Sequence, residues 1–62
     1  NLYGANLRGA NLIDADLSAA NLEGANLGAV SLEGANLGGA YMNGAILCNT
    51  TVPDGSVIYS GC

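Results

Sequence analysis

The hydrophobic pattern of this chain repeats every five residues from Asn1 to Leu47. One position of each pentapeptide holds a large apolar residue, and these ten residues are the predicted core: Leu2, Leu7, Leu12, Leu17, Leu22, Leu27, Leu32, Leu37, Met42 and Leu47. The position two residues earlier is small, usually Ala, and the intervening position is usually Asn or Asp. The unit therefore reads Ala-Asn-Leu-X-Gly.

A period of five fits neither regular secondary structure. On a continuous strand, side chains alternate between faces, so Leu2 and Leu7 would point in opposite directions. On an α-helix, at about 100° per residue, successive Leu residues would lie about 140° apart and would surround the helix. The chain must instead turn a corner in every unit, and equal corners close into a coil with each Leu pointing toward the axis.

The remaining positions fit this interpretation. Many units end in Gly, where a corner favours φ values that are unfavourable for a residue with a Cβ: Gly4, Gly9, Gly24, Gly34, Gly39 and Gly44. The Asn or Asp before each Leu has a short side chain that is expected to hydrogen-bond nearby backbone groups at the corner.

These residues resemble the pentapeptide-repeat family, whose motif is Ala-(Asn/Asp)-Leu-X-X, in ten consecutive units. The resemblance implies an all-β fold, a right-handed quadrilateral parallel β-helix with four units per turn. The chain would then form about two and a half to three coils. Leu2 would stack on Leu22 and Met42, and the Leu17 and Leu37 column would continue to Val57 if the register held.

The pattern decays toward the C-terminus. Tyr41 and Ile46 occupy outward Asn positions, and Thr50 to Val52 form a last, degenerate unit. Pro53 then supplies a turn and has no N–H to continue the ladder. We therefore expect a β-helix over residues 1–52 and a cap over residues 53–62, in which Val57 to Tyr59 fold back over the open coil. This tail resembles those of cyanobacterial members of the family.

Composition and charge limit the partners. Arg8 is the sole cation among the 62 residues, and the formal net charge is -4. Binding nucleic acid through phosphates requires clustered cations, so we expect no nucleic-acid partner. The apolar residues are periodic and form no run of about 18, so we expect no membrane span.

Cys48 and Cys62 are the two cysteines of the chain. One interpretation is a disulfide that fixes the cap, worth about 3 kcal/mol for a loop of this length. The alternative is a pair of reduced thiols. A disulfide would indicate an extracytoplasmic compartment, such as the periplasm or the thylakoid lumen, and free thiols would indicate the cytoplasm.

The sequence offers no catalytic machinery. It contains no His and no Lys, and no Ser or Cys stands in a pattern that would supply a base. Asp14 and Glu33 are expected near one face, as solvated surface charges. We predict no enzyme, no cofactor and no metal site.

A scaffold for protein interaction is the function that the pattern favours, with an unidentified protein partner. Tyr41 points outward and would either anchor that partner, pack on Glu23 or Asn43, or pack under the cap. The first coil has no cap, so we expect either preceding coils or an end-to-end homodimer through the N-terminal coil. The family resemblance suggests an alternative, a DNA-mimicking protein that binds a topoisomerase or a fragment of one.

Overall fold

Pairing between residues twenty positions apart organises the fold. In the computed structural model, which describes residues 1–62, parallel bridges join Asn6 to Asn26, Asn11 to Ser31 and Asp16 to Asn36. Four pentapeptides therefore make one turn, and the chain forms the expected right-handed quadrilateral β-helix. We refer to residues 1–20, 21–40 and 41–53 as coil 1, coil 2 and coil 3. No helix is present that could cross a membrane.

Each corner is a tight turn. The N–H of Ala5 donates to the carbonyl oxygen of Leu2 at 2.9 Å, and Gly4 adopts a φ of 65°. A positive φ at the third residue is the requirement of a type II turn, which favours Gly. Positive φ recurs at every fifth position from 4 to 49, and four of these positions hold other residues: Asp14, Ala19, Ala29 and Asn49. The predicted role of the glycines is confirmed.

The Asn side chains complete the corners. Asn21 Oδ1 accepts from the N–H of Glu23 at 3.1 Å, and Asn36 Oδ1 accepts from the N–H of Gly38 at 2.9 Å. The same bond to the second following residue forms at Asn1, Asn6, Asn11, Asp16 and Asn26. The expected local bonding is confirmed, and it ties the polar position of the repeat to its own turn.

The core lies inside coil 2. Leu22, Leu27 and Leu32 are 0% exposed, because coils stack on both of their sides. Three smaller residues are buried with them: Ala25, Val30 and Ala35. The other seven predicted core residues pack against this cluster and are partly buried: Leu2, Leu7, Leu12, Leu17, Leu37, Met42 and Leu47.

The chain ends in an antiparallel hairpin. Strand β1, Leu47–Thr51, lies in coil 3, and strand β2, Val57–Ser60, pairs with it across the turn at 52–56. The pairing is irregular between Cys48 and Thr50, because Asn49 is unpaired there.

One detail of the predicted stacking is wrong. Val57 does not continue the Leu17 and Leu37 column, but pairs with Thr51 and is 46% exposed. The reason is the reversal of chain direction after Pro53, which takes Val57 away from the position above Leu37. Residues 57–60 fold back along the free edge of coil 3, where they pair with Leu47–Thr51.

Candidate functional site

The N-terminal edge of coil 1 presents a row of backbone groups without partners. In coil 2, the equivalent carbonyls accept bonds from coil 1, as when Leu2 N–H donates to Asn21 at 2.8 Å. Eight carbonyls at the coil 1 edge accept no backbone bond: Asn1, Tyr3, Asn6, Arg8, Asn11, Ile13, Asp16 and Ser18. Four N–H groups there donate none: Asn6, Asn11, Asp16 and Asn21. A further coil of the same kind would pair with these groups as coil 1 pairs with coil 2.

Apolar side chains lie beneath this edge. Leu2, Leu7 and Leu12 are only partly buried, whereas Leu22 directly below Leu2 is 0% exposed. The difference arises because no coil covers the outer side of coil 1. The edge of coil 1 therefore combines unpaired hydrogen-bonding groups with partly exposed apolar side chains.

The outer wall carries two exposed aromatic residues, one on a side of the square and one at the adjoining corner. Tyr3 and Tyr41 are 69% and 61% exposed. Tyr41 lies in coil 3 on the side that contains Asn21, and Tyr3 lies in coil 1 at the corner where that side ends, in the column of Glu23. Tyr41 replaces the Asn of the repeat and pairs by its backbone with Asn21. Because neither ring is needed for the core, both are available to contact another molecule.

Carboxylates gather on the opposite side. Asp14 N–H donates to the Glu33 carbonyl at 2.9 Å, and Glu33 Oε2 lies 3.7 Å from where a Cβ on Gly55 would stand. The expected proximity of Asp14 and Glu33 is therefore present, with Asp54 in the adjoining turn. No group of three potential metal ligands occurs, and the surface has no pocket.

Two carboxyl groups have lowered pKa values. The Ser18 hydroxyl donates to Asp16 Oδ1 at 2.7 Å and the Ser18 N–H donates to the same atom at 3.1 Å; these two bonds lower the pKa of Asp16. The pKa of Asp54 is lowered chiefly by the bond from the Ser56 N–H, at 2.8 Å, and next by the Ser56 hydroxyl. Both are exposed turn residues, so these shifts reflect local hydrogen bonding and indicate no reactive group.

Cys48 and Cys62 form a disulfide, with their Cα atoms 5.1 Å apart. Cys48 lies in β1 and Cys62 follows β2, so the bridge closes the hairpin at its open end. Nearby, Gly61 lies against Ile46, where a Cβ would be 3.4 Å from the Ile46 Cα. The Cγ1 and Cγ2 atoms of Ile46 would each lie 3.6 Å from that Cβ, so Gly61 packs on an apolar side chain.

The structure shows two side-chain contacts that the sequence analysis did not predict. Thr50 is buried, and its hydroxyl donates to the Leu27 carbonyl at 2.6 Å. Its position twenty residues after Val30, an inward residue, could have indicated that Thr50 is buried. Arg8 extends over Gly28, with Nη1 3.3 Å from where a Gly28 Cβ would be. Gly28 lies directly below Arg8 in the stack, and the absence of a side chain there could have indicated this contact.

The comparisons with known proteins agree with this architecture. The family model described as Pentapeptide repeats matches in eight copies, over residues 1–39 and 25–52. No curated protein sequence matches the chain.

A solved structure is also similar to the chain. It is the crystal structure of HetL, a pentapeptide repeat protein involved in heterocyst differentiation regulation, from the cyanobacterium Nostoc sp. strain PCC 7120. The identity is 49%, the TM-score is 0.85, and the match covers 86% of this chain. The matched part spans 22% of the length of that structure. From the coil geometry and the family match together, the chain belongs to the pentapeptide-repeat family.

Proposed function

We propose that this chain is a non-catalytic scaffold that presents an aromatic surface to a protein partner. The observation that carries the proposal is the pair of exposed rings, Tyr41 on one side of the square and Tyr3 at the adjoining corner. In this fold the inward Leu and Ala fill the core, and the Asn side chains bond their own turns. The residues free to vary are therefore the outward ones, and Tyr is enriched where proteins bind one another.

The similarity to HetL supports a regulatory interaction. That protein is described as involved in the regulation of heterocyst differentiation. The repeat alone fixes several of every five residues, so the 49% identity reflects the shared coil to a large extent. For this reason we propose a scaffold role of the same general kind and do not assign the same partner.

The test is site-specific photocrosslinking in the cells that make the protein. A photoreactive amino acid replaces Tyr3 or Tyr41, and a control variant carries it at Ile13, which is 49% exposed in the turn at the opposite corner. We expect one discrete protein crosslinked from both Tyr positions and not from Ile13. Equal, diffuse labelling from all three positions would contradict the proposal.

The alternative of DNA mimicry has less support in the structure. The molecule measures 24 × 23 × 16 Å, whereas one turn of duplex DNA is about 34 Å long. Its carboxylates on the side of Asp14 and Glu33 are few and do not follow two phosphate strands. A topoisomerase supercoiling assay with the purified chain distinguishes the two roles, and we expect no inhibition.

The disulfide is informative about the cellular compartment in which the chain resides. We propose that the chain resides where disulfides persist, such as the periplasm or the thylakoid lumen, because Cys48 and Cys62 are bonded in the structure. Alkylation of free thiols at the moment of cell lysis tests this: the two cysteines should resist labelling until a reductant is added.

A further inference from the structure

Asn43 differs from the other Asn residues of the coil in its place and in the residue that follows it. It lies within a corner turn, directly after Met42, and it is exposed. Gly44 follows with a φ of 74°, and the Ala45 N–H closes the turn by donating to the Met42 carbonyl at 3.1 Å. No other Asn in the chain precedes a Gly.

This corner lacks a side-chain bond that restrains most of the others. At corners preceded by Asn or Asp, the Oδ1 atom accepts from the N–H two residues later. Position 41 holds Tyr, whose side chain forms no such bond, so the N–H of Asn43 has no acceptor there. The corner is restrained by the Ala45 to Met42 bond and by the Gly24 N–H, which donates to the Asn43 carbonyl at 3.0 Å.

The side-chain amide of Asn43 is also free to rotate. The side-chain hydrogen bonds of the chain all lie elsewhere. Asn49 is free in the same sense, but the buried, β-branched Thr50 follows it and obstructs approach to the intervening nitrogen. Six Asn residues are bonded to their own turns, and Leu follows each of them: Asn1, Asn6, Asn11, Asn21, Asn26 and Asn36.

A free Asn before a Gly can undergo an intramolecular reaction. The Gly nitrogen attacks the side-chain Cγ and loses its proton, and the side-chain nitrogen leaves as ammonia, which closes a succinimide ring. Water then opens the ring at either carbonyl. Addition at Cγ gives aspartate, and addition at the main-chain carbonyl gives isoaspartate. Overall a water molecule is consumed and ammonia is released, and Gly favours the attack because it has no Cβ in the way.

We propose that Asn43 is a site of spontaneous deamidation, in which the Gly44 nitrogen attacks the side-chain amide and water completes the conversion to aspartate or isoaspartate. The fold itself creates the reactive pair, because a corner with positive φ at position 44 favours Gly. Tyr41 adds to the reactivity by leaving the N–H of Asn43 without a side-chain acceptor. This inference does not depend on the proposed protein partner, since the reaction requires only water.

The dipeptide Asp54–Gly55 is a comparison within the same chain. Asp54 Oδ1 accepts from the Ser56 N–H at 2.8 Å, which holds the carboxylate away from the Gly55 nitrogen. An ionised carboxylate is also unreactive toward this attack, because its oxygen must be protonated before it can leave. We therefore expect Asp54 to remain unchanged over the period in which Asn43 reacts.

The two products have different consequences for the corner. Aspartate keeps the main chain and makes the formal net charge of -4 one unit more negative, in the column of Glu23. Isoaspartate adds a carbon to the main chain between Met42 and Ala45, which their turn bond does not accommodate. It also converts the carbonyl that accepts from Gly24 into a free carboxylate. Isoaspartate is therefore the product that disrupts the corner.

The first test follows the intact, oxidised 62-residue chain by mass spectrometry in neutral buffer. A short peptide with the sequence of residues 41–46 is incubated in parallel, and the comparison is made when half of it has reacted. We expect the chain to gain the mass difference between –OH and –NH₂, and fragmentation should locate the change at Asn43. The Asn43→Gln variant should show no gain. An unchanged chain at that time, or a gain distributed over the Asn-Leu units, would overturn the proposal.

The second test restores the missing bond. Tyr41→Asn supplies an Oδ1 acceptor for the N–H of Asn43, and Tyr41→Phe is the matched control without an acceptor. Because the Tyr41 ring is 61% exposed, neither change affects the core. We expect the Asn variant to deamidate at position 43 about five times more slowly than the Phe variant, since a bond of about 1 kcal/mol resists opening of the corner. Equal rates in the two variants would show that the missing bond does not make this corner reactive.

Discussion

At the scale of single residues, the four non-glycine corners are the least favourable part of the backbone. Ala19 and Ala29 have φ values of 60° and 57°, where an L-residue with a Cβ is strained by about 1–2 kcal/mol. Glycine at neighbouring corners avoids this strain. Asp14 and Asn49 tolerate the same region better, because short polar side chains bond locally there.

We expect Ala29→Gly to stabilise the fold by about 1 kcal/mol, since Ala29 is exposed and its Cβ contributes no burial. The measurement is the free energy of unfolding in urea. The matched control is Ala20→Gly, at an inward position with ordinary φ, which should lose about 1 kcal/mol. Destabilisation of similar size in both variants would show that the corner is not strained.

The lowered pKa of Asp16 predicts how the stability of the fold depends on pH. Because the folded value lies below the unfolded value, the ionised carboxylate stabilises the fold above the unfolded pKa, and this contribution disappears as pH falls through the folded pKa. The decline should therefore begin below about pH 4. We expect Asp16→Asn to flatten this part of the stability curve while retaining the turn, because the Asn amide oxygen accepts the same bond at other corners. If the Asp16→Asn variant loses stability at acid pH in the same way as the native chain, Asp16 is not responsible for that loss.

Substitutions at Thr50 measure how much its buried hydroxyl contributes to the stability of the fold. Thr50→Val preserves the shape but removes the bond to the Leu27 carbonyl, which keeps a second, longer bond from Val30 N–H at 3.3 Å. We expect a loss of about 1 kcal/mol in thermal or urea unfolding. Thr50→Ser retains the hydroxyl and loses a methyl group, so the pair of variants separates hydrogen bonding from packing. A Val variant as stable as the native chain would show that the bond contributes nothing.

At the scale of the elements, the coil is the unit of burial, and its place in the stack decides how much each Leu contributes. Leu7 and Leu27 occupy the same column, but Leu27 has coils on both sides and Leu7 on one. Identical residues in identical turns therefore differ in energetic importance.

Leu27→Ala should cost about 3–4 kcal/mol in urea unfolding, the range for a fully buried Leu that leaves a cavity. For the matched variant Leu7→Ala, we expect about half of that loss, because part of its surface already faces solvent. Equal losses would mean that coil 1 is covered in solution, for instance by association.

The elements also show what the sequence could predict. The period of five, the Gly corners and the Asn turns follow from local chemistry that repeats, so the coil and its inward Leu residues were predictable. The antiparallel direction of β2 was not, because Val57 and Ile58 are equally compatible with a further coil or a hairpin. Thr50 was overlooked because its polar hydroxyl suggests a surface position.

At the scale of the whole molecule, stability is greatest in the middle and falls toward both ends. Coil 2 contains nearly all the buried residues, and the outer coils share their remaining surface with solvent. Repeat proteins of this kind behave as nearly one-dimensional arrays, in which each unit depends on its neighbours.

Native-state hydrogen exchange of the oxidised chain should show this gradient. The amides of Ala25, Leu27 and Leu32, all bonded and buried, should exchange most slowly. Those of Asn6 and Asn11 should exchange close to the rate of an unfolded peptide, because they have no acceptor. Uniform protection along the chain would indicate that the molecule opens only as a whole.

The separation of bonded residues has a consequence for how the chain folds. Bonds such as Leu2 to Asn21 and Asn26 to Ala5 close loops of nearly constant length throughout the molecule. The first such closure loses chain entropy before any core exists to compensate for it, whereas each later pentapeptide adds to an edge already in place. Folding should therefore begin slowly with one coil-to-coil pairing and then propagate rapidly in both directions. Corner residues should influence the nucleation rate, and the terminal units should chiefly set the rate of unfolding.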